Sequence, residues 1–375
     1  MLKAHKIKLR PTDPQIALFT RAVGIRRFAY NWMLARCERH NRLFGKYPNV
    51  NEVAKRFRRQ KPEWSTEFGC YVYEVTDEVK QSIKMVIKNR STGMSSKPKF
   101  ASKYSDQQSF YVHNRYVAFD KDYAILSNFD NMRVKLTETL RFSGKIMGGR
   151  VTRRAGKWYL SVQVETGEEL PPVNDSAKVV GVDIGSGVLA TLTTGQQYPP
   201  PKAIDKHEEK LARLQQIMAN KDALGQRGSK RRKKLRAKIT KLHAKIADTR
   251  NTVLHQTSHD IIENNEGVSV EGYDIAKLVA APRTEDEPAW LKTKRNKNML
   301  DAGAGEFRRQ LEYKAAWRGK KFVEGDKHAA TSCTCSVCGV ITSISLSRNT
   351  WKCPHCKTKH DRRLNSATNM SILAK

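Results

Sequence analysis

Two Cys-x-x-Cys pairs near the end of this 375-residue sequence constrain its fold more than any other feature. Cys335 and Cys338 form the first pair, and Cys353 and Cys356 form the second pair after fourteen intervening residues. Two pairs at this distance can place four thiolates tetrahedrally around one Zn²⁺. We therefore predict a zinc site that supports folding, because four thiolates leave no coordination position for water. The alternative is that the four cysteines are buried near one another by coincidence and bind no metal.

The positive charge of the chain indicates a polyanionic partner. Lys and Arg number 70 against 37 Asp and Glu, which gives a net charge of +33. Nucleic acid is the most frequent partner of such an excess, and an anionic membrane surface is the alternative. No run of eighteen apolar residues and no signal peptide is recognisable, so we expect a cytoplasmic protein without a membrane partner. The odd count of seven cysteines argues against a disulfide framework.

Hydrophobic periodicity predicts a mixed α+β arrangement. Residues 1–10 alternate as a strand does, helical spacing follows over about 14–95, and short β-type segments dominate from about 108 to 166. This order predicts a small antiparallel β unit with a helical insertion after its first strand. The text "KVVGVDIGSGVLATLTTG" from residue 178 then predicts buried strands, and residues 204–262 predict two long helices.

The second of these helices begins with a dense run of positive charge. Ten of the nineteen residues from 227 to 245 are basic and none is acidic, which is too one-sided for an ordinary solvated face. We predict that this surface follows the phosphates of a nucleic acid. The residues assigned to nucleic-acid binding here are Arg227, Lys230, Arg231, Arg232, Lys233, Lys234, Arg236 and Lys238.

Two carboxylates stand at the ends of predicted buried strands. Asp183 ends "VVGVD", and Glu271 ends "VSVE". A buried acid at a strand end is costly unless it is paired or holds a metal. Two such acids in one sheet could bind Mg²⁺ and cleave phosphodiesters. Taken alone, however, either acid is more often a loop or capping residue.

The order of several motifs resembles the TnpB family of transposon-encoded, RNA-guided nucleases, which are relatives of type V CRISPR effectors. The resemblance covers essentially the whole chain and is carried by "KIKLRPTDPQ", "KPKF…QSF", "GVDIGSG", "VSVEGYDIAKL", "AGAGEFRRQLEYKAAWRGKK", "TSCTCSVCG…CPHC" and "DRRLNSATN". It implies an α+β multidomain fold, with a wedge-like β-barrel and its helical recognition insertion in residues 1–175. It further implies a RuvC-like, RNase H-type domain in residues 176–331, a zinc ribbon in 332–357 and a last RuvC-like segment in 358–375.

The same resemblance implies two nucleic-acid partners. One is a guide RNA, and the other is double-stranded target DNA that is chosen by base pairing and by a short flanking motif read by the protein. A prokaryotic, nucleoid-associated location would follow. Basic residues of the first half would help to bind the guide–target duplex, namely Arg26, Arg27, Arg56, Arg58 and Arg59.

The catalytic residues implied by the family are incomplete in this chain. Asp183 matches the family's first catalytic Asp, and Glu271 matches its catalytic Glu. The third acid lies in a pattern of the type D-R-D-x-N-A-A-x-N, and alignment of "LNSATN" with that pattern places Arg363 at its position. Asp361 matches the other, non-catalytic Asp, and we predict that it caps the N-terminus of a helix.

Arg363 therefore leads to the main functional hypothesis. A guanidinium beside Asp183 and Glu271 would supply a cation where a metal should sit, and we predict that it pairs with both acids. The nuclease would then be impaired, the protein would act by occupying its target, for example as a transcriptional repressor, and Mg²⁺ would bind only if the site still works. One alternative is an active endonuclease that uses Asp361 in a rearranged site. Another is a zinc-ribbon DNA-binding protein without a guide RNA.

Overall fold

The computed structural model describes residues 1–68, 72–91, 97–105, 107–226, 228–272, 289–326, 329–344 and 349–374. The chain divides into two compact units, Met1–Glu168 and Glu169–Lys375. The finer domain boundaries inferred from the sequence stay predictions. Among the described helices, none combines the length and the apolar character that a membrane crossing requires.

A seven-stranded antiparallel sheet forms the frame of the first unit. Its strand order is β2-β6-β7-β1-β5-β4-β3, so the first strand lies in the middle of the sheet. The strands are β1 (Leu2–Arg10), β2 (Gln107–His113), β3 (Val117–Asp120), β4 (Tyr123–Leu126), β5 (Met132–Leu136), β6 (Lys145–Arg154) and β7 (Lys157–Glu165). Alternate residues of β1 are buried, among them Ile7 and Leu9, as expected for a strand with one face on the core.

This sheet curls but does not close within the described chain. Strand β3 contacts β6, yet no backbone pairing joins the two edge strands β2 and β3 in the part that the structure describes. The predicted α+β arrangement is confirmed, whereas the predicted barrel is an open, curled sheet.

The helical insertion lies between β1 and β2, as the sequence predicts. It contains α1 (Asp13–Phe44), α2 (Val50–Gln60), a short 3₁₀ turn (Glu63–Thr66) and α3 (Val72–Ser91). The N-terminus of α1 is fixed by Thr12, whose backbone N–H donates to the Gln15 side chain at 3.0 Å. Phe19 of α1 is fully buried, and its ring packs against Phe110 and Trp158 of the sheet.

A five-stranded mixed sheet forms the frame of the second unit. Its order is β10-β9-β8-β11-β12, where β8, β11 and β12 are parallel to one another and β9 and β10 are antiparallel to their neighbours. The strands are β8 (Val179–Ile184), β9 (Ala190–Leu192), β10 (Gln197–Tyr198), β11 (Gly267–Val270) and β12 (Lys321–Glu324). Every residue of β8 and β11 is buried, which is typical of central parallel strands covered on both faces.

Helices pack against this sheet or against one another, and a small two-stranded ribbon precedes the last helix. The helices are α4 (Glu208–Ala223), α5 (Lys230–Asn264), α6 (Ala289–Ala302), α7 (Ala304–Trp317) and α8 (Arg362–Leu373). Leu254 and Ile261 of α5 share a buried core with Phe307 and Leu311 of α7 and with the central strands. A two-stranded ribbon, β13 (Thr350–Lys352) with β14 (Lys359–Asp361), leads directly into α8.

Candidate active site and candidate metal centre

Strand β8 and helix α8 approach each other backbone to backbone, and this contact positions the candidate active site. Gly181 makes the approach possible, because a Cβ at this position would lie 1.8 Å from the carbonyl oxygen of Ala367. The close packing brings the first turns of α8 beside the end of β8. Asp183 therefore faces residues that are almost two hundred positions away in the sequence.

Asp183 is a buried acid, with 9% of its surface exposed. Burial raises the pKa of its carboxyl from 3.8 to about 6, because desolvation disfavours the charged form. A hydrogen bond from the Ser366 side chain and the positive charges of Arg362 and Arg363 act in the opposite direction, without cancelling the effect of burial. Asp183 thus exchanges protons near neutral pH, unlike an ordinary aspartate.

Glu271 stands beside Asp183, as the sequence predicts. The parallel strands β8 and β11 are in register at Val182 and Val270, so both acids follow paired residues at the same edge of the sheet. Burial and then the charge of Asp183 raise the pKa of Glu271, while the Thr331 hydroxyl, which donates to its Oε1 at 3.2 Å, lowers it. The two carboxylates are therefore close enough to repel each other when both are ionised.

Arg363 does not make the predicted ion pair. All three residues are described, and no salt bridge joins its guanidinium to Asp183 or to Glu271. The guanidinium instead extends to the turn after β8, where Nη2 lies 2.9 Å from the position that a Cβ of Gly187 would take. Pairing with the buried acids would strip water from the cation, which is a cost that the Coulomb attraction often fails to offset. Its positive charge acts on Asp183 over a longer distance.

Arg362 is the neighbour that the sequence analysis missed. Its charge lowers the pKa of Asp183 more than the charge of Arg363 does. Its Nε is buried and has no hydrogen-bond partner within the described residues. The signal in the sequence was the doubled arginine of "DRRLN", of which only the second stands at the family's acidic position.

Asp361 is engaged as a helix cap, and this prediction is confirmed. Its Oδ1 accepts hydrogen bonds from the backbone N–H groups of Arg363 at 2.9 Å and Leu364 at 3.0 Å. These are two of the N–H groups that a helix N-terminus leaves without an intrahelical partner. To act beside Asp183 and Glu271, Asp361 would have to break both of these hydrogen bonds.

The side chains at this site offer Mg²⁺ two carboxylates rather than the three that the family resemblance implies. Mg²⁺ prefers several oxygen ligands in near-octahedral geometry, usually including carboxylates. Here Asp183 and Glu271 are the two acids at the site, and the positive charges of Arg362 and Arg363 act on Asp183. A third carboxylate is missing from the position that the family resemblance assigns to it.

The asparagines of the "LNSATN" motif connect α8 to the segment before the zinc ribbon. The Asn365 side-chain amide donates to the carbonyl of Thr334 at 2.8 Å, and that of Asn369 donates to the carbonyls of Thr331 and Thr334, both at 2.7 Å. All of these contacts hold the ribbon against the acid site. The two asparagines of the motif therefore have a structural role in packing, in addition to lying near Asp183 and Glu271.

The four cysteines come together as their spacing predicts. The Sγ atoms of Cys335, Cys338, Cys353 and Cys356 all lie within 4.8 Å of one another. The Cys335–Cys356 and Cys338–Cys353 pairs have Sγ–Sγ separations of 3.5 and 3.6 Å. A tetrahedron with Zn–S bonds of about 2.3 Å needs S–S separations of roughly 3.8 Å, so the cluster can hold a zinc ion.

One histidine supports this cluster. The Nε2 of His360 lies 3.1 Å from Cys335 Sγ, and its ring packs on Trp351 with a centroid distance of 4.7 Å. Only 7% of His360 is exposed, so its orientation is held by packing. Outer partners of this kind fix and tune metal ligands. Cys333, the spare cysteine, does not belong to the four-sulfur cluster.

The basic helix α5 presents most of its charges to solvent. Lys230, Arg231, Lys233, Lys234 and Lys238 are exposed, while Arg236 is half-buried. Arg232 differs, because its guanidinium Nη2 is hydrogen-bonded to Asp222 Oδ2 at 2.9 Å and links the start of α5 to the end of α4. Arg227 lies outside the described residues.

The predicted arginines of the first unit also differ in their surroundings. Arg26 is paired with Glu78, with 3.0 Å between Nε and Oε2, and Glu78 also pairs with Arg150. Arg27, on the same helix, has no hydrogen bond or ion pair within the described residues. Arg56, Arg58 and Arg59 are exposed on α2.

Three protein-family descriptions match separate segments of the chain. Residues 161–281 match OrfB_IS605, a probable transposase family. Residues 305–370 match the Cas12f1-like TNB domain, and residues 1–43 match the helix-turn-helix domain of OrfB_IS605 proteins. The order of the three matches follows the order of the motifs described above.

Two curated relatives are similar along almost the whole chain. The putative RNA-guided DNA endonuclease InsQ of Escherichia coli (strain K12) is 28% identical, over 98% of this chain and 91% of the relative. A putative RNA-guided DNA endonuclease of Streptomyces pristinaespiralis is 27% identical, over 98% of this chain and 88% of the relative. The solved structure of the mini-RNA-guided endonuclease CRISPR-Cas_phi3 is similar over 100% of this chain and 92% of its own chain, with 9% identity and a TM-score of 0.49.

Proposed function

Because the chain belongs to the TnpB family, we propose that it is an RNA-guided DNA-binding protein with an impaired nuclease site, which acts by occupying its target. The observation that carries this proposal is the replacement of the third acid by Arg363, beside a second arginine and two buried acids. Its partners would be a guide RNA and double-stranded DNA with a short flanking motif.

The exposed charges support nucleic-acid binding. Each lysine or arginine that contacts a phosphate releases condensed counterions, so affinity would fall steeply with salt. The net charge of +33 and the exposed basic turn of α5 suit such a partner. Sequence choice would come from base pairing with the RNA rather than from these contacts.

The charges around Asp183 and Glu271 support the proposal that the nuclease site is impaired. Cleavage of a phosphodiester by a metal-dependent nuclease needs ionised oxygens that concentrate divalent metal at the scissile phosphate. Arg362 and Arg363 add positive charge around Asp183, where metal would be recruited, and the third carboxylate is absent. Both differences disfavour a bound cation.

A protein that binds without cutting would act as an obstacle. A stable complex of guide RNA with one DNA strand displaces the other strand and blocks a polymerase that must read through it. A target near a promoter would therefore be repressed. We expect the protein to occur in the cytoplasm, on the nucleoid, where such targets lie.

The two alternative functions, an active endonuclease and a DNA-binding protein without guide RNA, differ from this proposal in what they require. An active site that uses Asp361 would have to break the two backbone hydrogen bonds of the α8 cap. A zinc-ribbon DNA-binding protein without guide RNA would purify without a defined RNA.

The test uses the full chain purified with its RNA. Sequencing of that RNA names the matched target, and labelled target DNA is then incubated with complex and Mg²⁺. We expect tight, guide-dependent binding without cleavage, and repression of a reporter whose promoter carries the target. Arg363→Asp restores the third carboxylate and should increase cleavage above that of Arg363→Ala, which removes the cation but adds no acid.

Two results would contradict the proposal. Efficient cleavage by the unaltered complex would show that the site is functional in spite of Arg363. Absence of a defined RNA would support the guide-free alternative. Asp183→Asn combined with Arg363→Asp is the control, since any restored cleavage should disappear again.

A further inference from the structure

A groove on the first unit combines exposed aromatic surface with positive charge. We call it the Trp64 groove, and it is lined by Arg21, Gly24, Arg27, Phe28, Trp32 and Trp64. Its volume is about 660 Å³. Pockets that hold drug-sized ligands measure about 300–1,000 Å³, so a nucleotide would fit.

The aromatic side of the groove is open to a ligand. Trp64 is 55% exposed, although its ring also packs on Phe28 with a centroid distance of 4.9 Å and an interplanar angle of 54°. Trp32 is held from another side, because the Arg36 guanidinium lies 3.4 Å from its ring centroid. Single exposed apolar side chains are common and need no explanation, but here the exposed ring lines a cavity.

The charges around the groove point to an anionic ligand. Arg21 is engaged with Glu67, with 2.8 Å between Nε and Oε2. Arg27 extends over Gly24, with Nη2 3.9 Å from the position of a Cβ there, and it has no hydrogen bond or ion pair within the described residues. A guanidinium in this position can stack on a base or contact a phosphate.

A second basic and aromatic segment is fixed at the edge of the groove. The Asn31 side chain lines the groove and makes two hydrogen bonds with the backbone of Ala101, at 3.0 and 2.7 Å. This anchor positions the segment 97–105, in which Phe100 is 53% exposed and Tyr104 is 70% exposed. Three lysines of the same segment are exposed as well, namely Lys97, Lys99 and Lys103.

We infer that the Trp64 groove captures an unpaired nucleobase of a single-stranded nucleic acid, whose backbone continues along the segment 97–105. Proteins bind single strands by this combination, in which a basic track follows the phosphates and aromatic rings stack on the bases. The inference rests on the proposed function for the source of the base, which would be either the guide RNA or the displaced DNA strand. An acidic peptide would satisfy the charges but would not need a flat aromatic surface.

The first experiment separates bases from phosphates. A ten-nucleotide oligothymidylate and an abasic strand of equal length carry the same charges, and both are titrated against the full chain after its RNA has been digested. Stacking of one base contributes about 1–3 kcal/mol, or about 5- to 150-fold in affinity. We expect Trp64→Ala to reduce the preference for the oligothymidylate by at least about 5-fold and to leave the affinity for the abasic strand unchanged.

Matched variants control for loss of fold and of charge. Trp64→Phe keeps an aromatic ring and should keep most of the preference. Arg27→Ala should weaken binding of both strands. Met85→Ala, at a side chain that is 66% exposed on α3, should change neither. If Trp64→Ala has the same preference as Met85→Ala, the inference is overturned.

The second experiment identifies the source of the base in the assembled complex. Photoreactive 4-thiouridine is placed in the RNA, or 4-thiothymidine is placed in either DNA strand, and cross-linked peptides are mapped. Cross-links to the Trp64 peptide from one of these strands support the inference and name the source. Their absence from all strands, in a complex that still binds its target, overturns the inference and leaves the proposed function intact. A chain that binds neither RNA nor DNA would overturn both.

Discussion

Asp183→Asn is expected to stabilise the folded protein at neutral pH. The carboxyl of Asp183 has a pKa of about 6 in the folded chain, against 3.8 as the ordinary value, mainly because it is buried. An acid with a raised folded pKa binds its proton more tightly in the folded state than in the unfolded state. Its ionisation therefore opposes folding above pH 6, and the cost disappears as the pH falls below 4.

The size of the effect follows from the same shift. A difference of about two pKa units corresponds to about 3 kcal/mol at pH 7 and to about half of that at pH 5. Asparagine has the same shape, carries no charge and can still accept the hydrogen bond from Ser366. After allowance for the burial of its amide, we expect the free energy of unfolding to rise by about 1–3 kcal/mol at pH 7.

Calorimetric unfolding of the full chain measures this prediction. A gain of that size raises the transition of a unit of this length by several degrees, at about 2–4 °C per kcal/mol. The scans are run at pH 7 and pH 5 with zinc present and with no other divalent metal. Mg²⁺ then cannot bind to the wild type and stabilise it. Asp361→Asn is the matched control, because Asn caps a helix about as well as Asp and the position is exposed.

One result would refute the reasoning. If Asp183→Asn lowers the transition at pH 7, the ionised carboxylate of Asp183 is stabilised in the folded chain by Arg362 and Arg363. The charge attraction would then outweigh burial, contrary to the raised pKa.

Four further predictions concern the second unit. Cys338→Ser should remove zinc from the purified chain, as measured by metal analysis, and lower the unfolding temperature, because a structural zinc contributes its binding energy to folding. Gly181→Ala should destabilise the unit by several kcal/mol or prevent soluble expression, because the new methyl would overlap the Ala367 carbonyl. Lys234→Ala should weaken binding of nucleic acid and reduce the salt slope by about one unit. Arg232→Ala, which breaks the pair with Asp222, should instead lower the thermal stability of the α4–α5 turn.

The sequence predicted the features that depend on residues close to one another along the chain. The cysteine spacing predicted the four-sulfur cluster, because each Cys-x-x-Cys pair already brings two thiolates together. The cap at Asp361 followed from the preference of Asp for the N-terminus of a helix. The acids at the ends of β8 and β11 were recognisable because a polar residue after a buried run is unusual, and parallel strands bring such ends together.

Only the tertiary structure decided which charges meet. The amino-acid sequence determined that Arg363 occupies an acidic position, but it could not show that the guanidinium extends to Gly187 and leaves Arg362 as the stronger influence on Asp183. It also could not separate Arg26, which pairs with Glu78, from Arg27, which lines the Trp64 groove. The physical reason is that caps and metal knuckles form over a few residues of backbone. The pairing and solvent exposure of a long charged side chain instead depend on which distant segments pack around it.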